Sequence, residues 1–174
     1  MRKKIALGIM ILALVFAVFL VYRIYAGVLT KREIARRIEV LQEFSFETLE
    51  GKSFNHNDFP NDMPVALLYF NTDCPHCSAE MDDIQRHPTL LDSVYFLMIS
   101  RQKQERVSQF VHEKNLLSWK NIAVVTDARN LFPKIFGTAM VPTLFIYGKD
   151  RRLVKIFKGE TSAKAIRKAL LANR

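Results

Sequence analysis

The sequence predicts an α/β domain, a mixed central sheet flanked by helices, preceded by an N-terminal transmembrane helix. Three observations predict it. Ile5 to Tyr22 carries no charge, four apolar runs of strand length alternate with helix-like segments, and a turn near the C-terminus joins two further strand-like runs. The 174 residues suit one compact domain with an appendage. Hydrophobic residues at 49% and charged residues at 25% are globular values, and 13 Phe supply material for a core.

The first element is the membrane segment. As a helix, residues 5–22 would be roughly 27 Å long, close to the hydrocarbon thickness of a bilayer. Met1-Arg2-Lys3-Lys4 before it is a positive leader. A cleavable signal peptide favours a shorter apolar core and small residues before the cut, whereas Arg23-Ile24-Tyr25-Ala26 follows here, so an uncleaved anchor is expected over residues 1–29. Counting positive residues on the two flanks does not by itself favour a cytoplasmic N-terminus. That orientation is expected from the cysteine chemistry below and from the leading position of the helix.

Residues 30–43 read as a juxtamembrane amphipathic helix, with Ile34, Ile38 and Leu41 at helical spacing. The folded domain is expected over residues 44–174. Phe44 to Leu49 alternates, Glu50-Gly51-Lys52 turns, and Ser53-Phe54 resumes, which predicts a short hairpin. Val65–Phe70, Val94–Ile99, Ile122–Thr126 and Thr143–Tyr147 are apolar without alternation, as in strands covered on both faces. Helices are expected at 74–86, 103–113 and 128–136. Gly148-Lys149-Asp150 turns the chain into Leu153–Phe157, and Thr161 is positioned to cap a last helix bearing Ala163, Ile166 and Leu170.

The net charge is +9, but it is unevenly placed: +5 over residues 1–43, −3 over 44–148 and +7 over 149–174. A nucleic-acid interface gathers basic and aromatic residues on one working face. Here the excess sits at the ends, where it flanks the membrane segment or coats a solvated helix. No nucleic-acid partner is expected.

The chain has two cysteines, in the run Cys74-Pro75-His76-Cys77. Cys74 follows the strand 65–70 and the turn Asn71-Thr72-Asp73, and Pro75 suits the first turn of a helix. Cys74 is thus expected at a helix N-terminus, where unpaired amides and the helix dipole favour a thiolate. The spacing lets Cys77 come round one turn to resolve a mixed disulfide formed at Cys74. His76 adds a positive charge or a donor beside the first sulfur, which makes the disulfide more oxidising. A zinc site needs two more ligands, and His56, His87 and His112 show no ligand spacing. A c-type haem site needs His directly after the second Cys, where Ser78 stands. A structural disulfide closing so small a loop would constrain little. Redox work is the expected role, with no metal and no cofactor beyond the cysteines.

These residues and their order resemble the thioredoxin fold, and within it the membrane-anchored TlpA/ResA-like branch, over about residues 44–174. The segment Leu67 to Cys74 resembles the strand entering that branch's active site. Gly137 to Leu144 resembles its cis-proline loop. The resemblance implies that Pro142 lies against the cysteines and that Met140, Val141 and Thr143 meet an extended substrate segment. It implies a cysteine-tuning role for Glu80; as a bare sequence position, Glu80 reads equally as a surface helix residue. It further implies thiol- or disulfide-containing exported proteins as partners, a membrane redox partner that recycles the pair, and a single-pass protein of the bacterial inner membrane with its domain in the periplasm or on the outer face.

Two features depart from that branch. Asp73 stands where Trp is common before the first Cys; its charge opposes a thiolate, or its side chain caps the helix. The Pro75-His76 dipeptide resembles the oxidase DsbA, yet the interval between Ile84 and Ile122 leaves no room for a DsbA-like helical insertion. Two other functions are weighed against disulfide exchange. A thiol peroxidase resembles this chain less, because its Thr lies three residues before the Cys and Thr72 lies two before. A thioredoxin-fold copper module uses a spacing one residue longer, though two thiolates with His76 could hold Cu(I).

Overall fold

The computed structural model describes the backbone of residues 2–172 and the side chains of residues 10, 12 and 14–172. The leader Arg2-Lys3-Lys4 and part of the predicted span 5–22 therefore lie outside the described side chains. The chain divides into two compact units, one ending at Arg37 and the other beginning at Ile38. The first unit is a single helix, α1 (Arg2–Arg37). Within it Leu14–Arg37, with mean hydropathy 1.7, is long and apolar enough to cross a membrane.

The amphipathic helix expected at 30–43 does not form as an element of its own. No proline interrupts the chain before Arg37, so α1 simply continues to that point. Ile38 is instead buried in the second unit, where Tyr147 Oη donates to its carbonyl at 3.1 Å. After a turn at Ile38-Glu39, Val40 bridges Arg152 in antiparallel fashion. Leu153 N donates to Glu39 O at 2.8 Å, and Leu41 N donates to Arg151 O at 2.9 Å. Tertiary pairing here overrides a helical pattern that spans only two turns.

The second unit alternates strands and helices: β1 (Ser45–Thr48), β2 (Ser53–Asn55), β3 (Val65–Phe70), α2 (Pro75–Gln85), α3 (Pro88–Leu91), β4 (Tyr95–Ser100), α4 (Gln104–Glu113), β5 (Ile122–Thr126), α5 (Leu131–Phe136), β6 (Thr143–Tyr147), β7 (Leu153–Lys158) and α6 (Ala163–Leu171). The strands form one mixed sheet in the order β2-β1-β5-β4-β3-β6-β7. β3, β4 and β5 are parallel, and the remaining pairs are antiparallel. This is the predicted α/β architecture, and the unbroken apolar runs have their predicted cause: all six residues of β3 and all five of β6 are buried.

One face of the sheet packs Leu68, Phe96, Met98 and Leu144 against Met81 and Ile84 of α2, Val107 of α4 and Ile166 of α6. On α5, Phe132 stacks on Tyr69 at 4.3 Å between ring centroids and on Phe136 at 4.5 Å. Two helix starts differ from expectation. α5 begins at Leu131 rather than 128 because the buried Asp127 carboxylate accepts from Leu131 N and Phe132 N at 2.7 and 2.8 Å. Ser162, not Thr161, caps α6, its hydroxyl accepting from Ala165 N.

The β6–β7 turn is fastened from outside. Arg151 has φ +62, and its guanidinium donates to the carbonyls of Met63 and Pro60 and sits 5.6 Å from the Phe59 ring centroid. Arg151→Ala is expected to cost about 2 kcal/mol, the loss of charged hydrogen bonds and a cation–π contact. A lowered midpoint in urea unfolding checks this.

Candidate active site

The register of β3 places the site. Tyr69 pairs with Thr143 on β6, so the segment leaving β3 runs beside the segment entering β6. The first is Asn71-Thr72-Asp73-Cys74; the second ends in Pro142, whose bond to Val141 is cis. Pro142 and Thr143 are buried, and Thr143 Oγ1 donates to Met140 O at 2.8 Å. Met140 is exposed, and Val141 packs on the core. The residues expected to meet a substrate thus lie together in the loop entering β6, next to the turn that bears Cys74.

Asn71 shapes the turn before the cysteines. Its side-chain oxygen accepts from Asp73 N at 2.7 Å, and its carbonyl accepts from Cys74 N at 3.2 Å. Cys74 is the N-cap of α2, with Pro75 following at the first helical position. Its Sγ accepts from Cys77 N at 3.4 Å. A sulfur in the cap position takes the place usually held by a hydroxyl or carboxylate oxygen. The predicted placement of Cys74 at a helix N-terminus is what the backbone adopts.

The two thiols sit in different surroundings. Cys74 is partly exposed, whereas Cys77 is buried. Burial is the main reason the Cys77 thiol is pushed up to about 12, and the neighbouring Cys74 and Glu80 push the same way. Glu80 is 1% exposed, and neither carboxyl oxygen has a hydrogen-bond partner among the described residues. Burial raises its carboxyl to about 8; the Thr161 backbone pulls the other way without reaching hydrogen-bond geometry, and the Glu160 charge adds to the rise. The surface-residue reading of Glu80 is therefore corrected. A sequence signal for its burial exists: Cys77, Glu80, Met81 and Ile84 fall at i, i+3, i+4 and i+7, and all four are buried.

The flanking charges are both engaged by residues that the motif does not reveal. The Asp73 carboxylate accepts from Arg106 Nη2 at 2.6 Å and from Gln102 Nε2 at 3.1 Å. The Arg106 hydrogen bond holds the Asp73 carboxyl below its ordinary value. Asp73 does not cap α2; that position belongs to Cys74. His76 Nδ1 lies 2.8 Å from Glu160 Oε2. Arg106 and Glu160 are 33 and 84 residues from their partners, and only the folded sheet brings them close. Asn71 was legible, since Asn two residues before Asp is a turn signature.

Among the described residues, no three His, Cys, Asp or Glu side chains gather as a metal-ligating group. A cleft of about 870 Å³ is lined by Asp62, Asp92, Lys149, Arg167 and Leu170, and by none of the site residues.

A sequence profile of the AhpC/TSA family matches residues 39–156. The chain belongs to the AhpC/TSA family. Within this thioredoxin-like family it is similar to the thiol-disulfide oxidoreductase ResA of Bacillus thuringiensis subsp. konkukian, at 25% identity over 98% of this chain and 97% of the relative. It is 26% identical to the ResA of Halalkalibacterium halodurans over 91% of this chain and 88% of that protein. Its fold is that of a secreted disulfide oxidoreductase of Mycobacterium tuberculosis homologous to E. coli DsbE, with a TM-score of 0.63 at 20% identity, covering 79% of this chain and 98% of that one. StoA from Bacillus subtilis superposes with a TM-score of 0.57 at 21% identity, covering 75% and 98%. This AhpC/TSA member is thus a thioredoxin-fold oxidoreductase whose cysteine pair fits thiol–disulfide exchange, as the sequence predicted.

Proposed function

We propose that this AhpC/TSA member is a membrane-anchored thiol–disulfide oxidoreductase acting on exported proteins at the outer face of the bacterial inner membrane. The observation that carries this reading is the asymmetry of the cysteines. Cys74 is reachable and hydrogen-bonded at a helix N-terminus, while Cys77 is buried one turn away and held as a thiol. The Cys74 thiolate attacks one sulfur of a substrate disulfide, and the other sulfur leaves as a thiolate and takes a proton. Cys77 then gives up its proton and attacks Cys74 Sγ. The second substrate sulfur leaves and is protonated, so the substrate gains two thiols and Cys74–Cys77 becomes the disulfide. Pro142, Val141, Met140 and Thr143 form the wall against which an extended segment lies. Glu80 sets the acidity of Cys77, and Asp73, Pro75 and His76 bear on the poise only as far as their own partners leave them free to act on Cys74. A membrane redox partner restores the dithiol, and no cofactor is needed beyond the pair. The domain partition proposed with this reading is an anchor through α1 and a catalytic domain after it.

The engagement of His76 by Glu160 favours the reductant over the oxidant, and it outweighs the Arg106 contact, which relieves the opposition of Asp73 to a thiolate. Equilibration of the full chain with glutathione buffers is expected to give a reduction potential nearer to about −270 mV than to about −120 mV, together with reduction of insulin disulfides. No disulfide formation in any buffer would overturn the reading. Peroxide consumption without insulin reduction would favour a thiol peroxidase, and stoichiometric copper binding without it would favour a metal module.

A further inference from the structure

Glu160 stands in the short segment between β7 and α6, and both of its flanks are pinned to the site. On one side Gly159, at φ +86, donates its N–H to Pro142 O at 2.9 Å. On the other side Ala163 N donates to Asp83 Oδ2 on α2 at 2.8 Å. Ser162 between them caps α6. The segment therefore straps the Pro142 loop to α2, and it presents the Glu160 carboxylate to His76 Nδ1 at 2.8 Å. The pair is exposed, at 73% for His76 and 46% for Glu160, so its contribution to folding stability is small. Its effect lies instead in what it withholds. Cys74 Sγ takes its hydrogen bond from the Cys77 amide, while the imidazole is turned to a carboxylate. The Nδ1 nitrogen held by the carboxylate is not available to the sulfur.

We infer that Glu160 is a positioning residue that sequesters His76 from Cys74, so that the Cys-Pro-His-Cys motif does not acquire the oxidising poise its dipeptide favours. The inference rests on the redox reading above. With Glu160 removed, the imidazole is free to pair with the Cys74 thiolate, which stabilises the dithiol state relative to the disulfide. The removal also takes a negative charge away from the surroundings of Glu80. A double-mutant cycle subtracts that part, because it is common to chains with and without His76.

The test is a set of four full-length chains in detergent: wild type, His76→Ala, Glu160→Ala and the double variant. Each is equilibrated at pH 7 in reduced and oxidised glutathione, and the fraction of dithiol is read by thiol trapping. The reaction converts the dithiol and one oxidised glutathione to the Cys74–Cys77 disulfide and two reduced glutathiones. In the wild-type background, His76→Ala is expected to change the equilibrium constant by less than about twofold. In the Glu160→Ala background it is expected to change it about tenfold toward the disulfide, equivalent to about 30 mV. Equal effects of His76→Ala in both backgrounds would overturn the role of Glu160 while leaving the redox reading intact. A wild-type pair that never forms the disulfide would overturn both.

Discussion

Replacing Cys77 with Ala will trap substrate. The variant still attacks through the reachable Cys74 but cannot resolve the product, so disulfide-linked adducts at Cys74 accumulate on non-reducing gels and disappear with reductant. Replacing Cys74 with Ala will instead yield no adduct and lower insulin reduction by about 10³-fold or more, the usual scale for loss of a nucleophile. The contrast follows from burial. Cys77 is fully enclosed and held as a thiol up to about 12, so it cannot substitute for Cys74 in the attack. A Cys77→Ala chain that turns over at the wild-type rate would show that resolution does not pass through Cys77.

The second large effect is on stability against pH and comes from Glu80. Its carboxyl is raised from 4.5 to about 8 in the folded protein, chiefly by burial. Below pH 4.5 both states hold the proton, and the group has no effect on the balance. Between 4.5 and about 8 the unfolded chain releases a proton that the folded chain keeps, so the unfolded state binds fewer protons and stability falls as pH rises. Above about 8 both states are ionised, and the slope ends. The accumulated loss is on the order of 5 kcal/mol. Glu80→Gln preserves the shape of the side chain and removes the titration. The difference between wild type and variant in urea unfolding should therefore grow from near zero at pH 4.5 and level off above pH 8. Taking the difference cancels opposing contributions from Asp73 and Asp83, whose carboxyls are lowered by Arg106 and by the Ala163 amide. A pH-independent difference would mean that Glu80 titrates alike in both states.

The strands and the cysteine helix were legible because their signals are local. Val65–Phe70 and Thr143–Tyr147 are buried on both sides, and a sequence shows this directly as a run without polar alternation. Pro75 after Cys74 marks a helix start by its missing donor. What the sequence hid depends on distant partners. Ile38 to Leu41 fits a helical stripe, yet the backbone groups of Arg151, Arg152 and Leu153 claim Glu39 to Leu41 for pairing. The carboxylates of Asp73 and Glu160 carry no mark of the partners they meet, because Arg106 and His76 come near only through the fold. The four-residue helix α3 is shorter than any periodicity can register, although Pro88 begins it. Glu80 lies between these cases: its position on the buried stripe was readable, but a carboxylate there is costly enough that burial is not the default expectation.

The order of strands also divides the molecule by how readily its parts open. β3 is hydrogen-bonded along both sides, to β4 and to β6, while β7 has one neighbour along most of its length and lies at the sheet's edge. Local opening proceeds from edges and ends before it reaches doubly bonded central strands. The strand that mounts Cys74 therefore belongs to the slowest-exchanging class of amides, and the segment that follows β7 and carries Glu160 belongs to a faster one. The thiols keep their mount through fluctuations that transiently release Glu160 from His76.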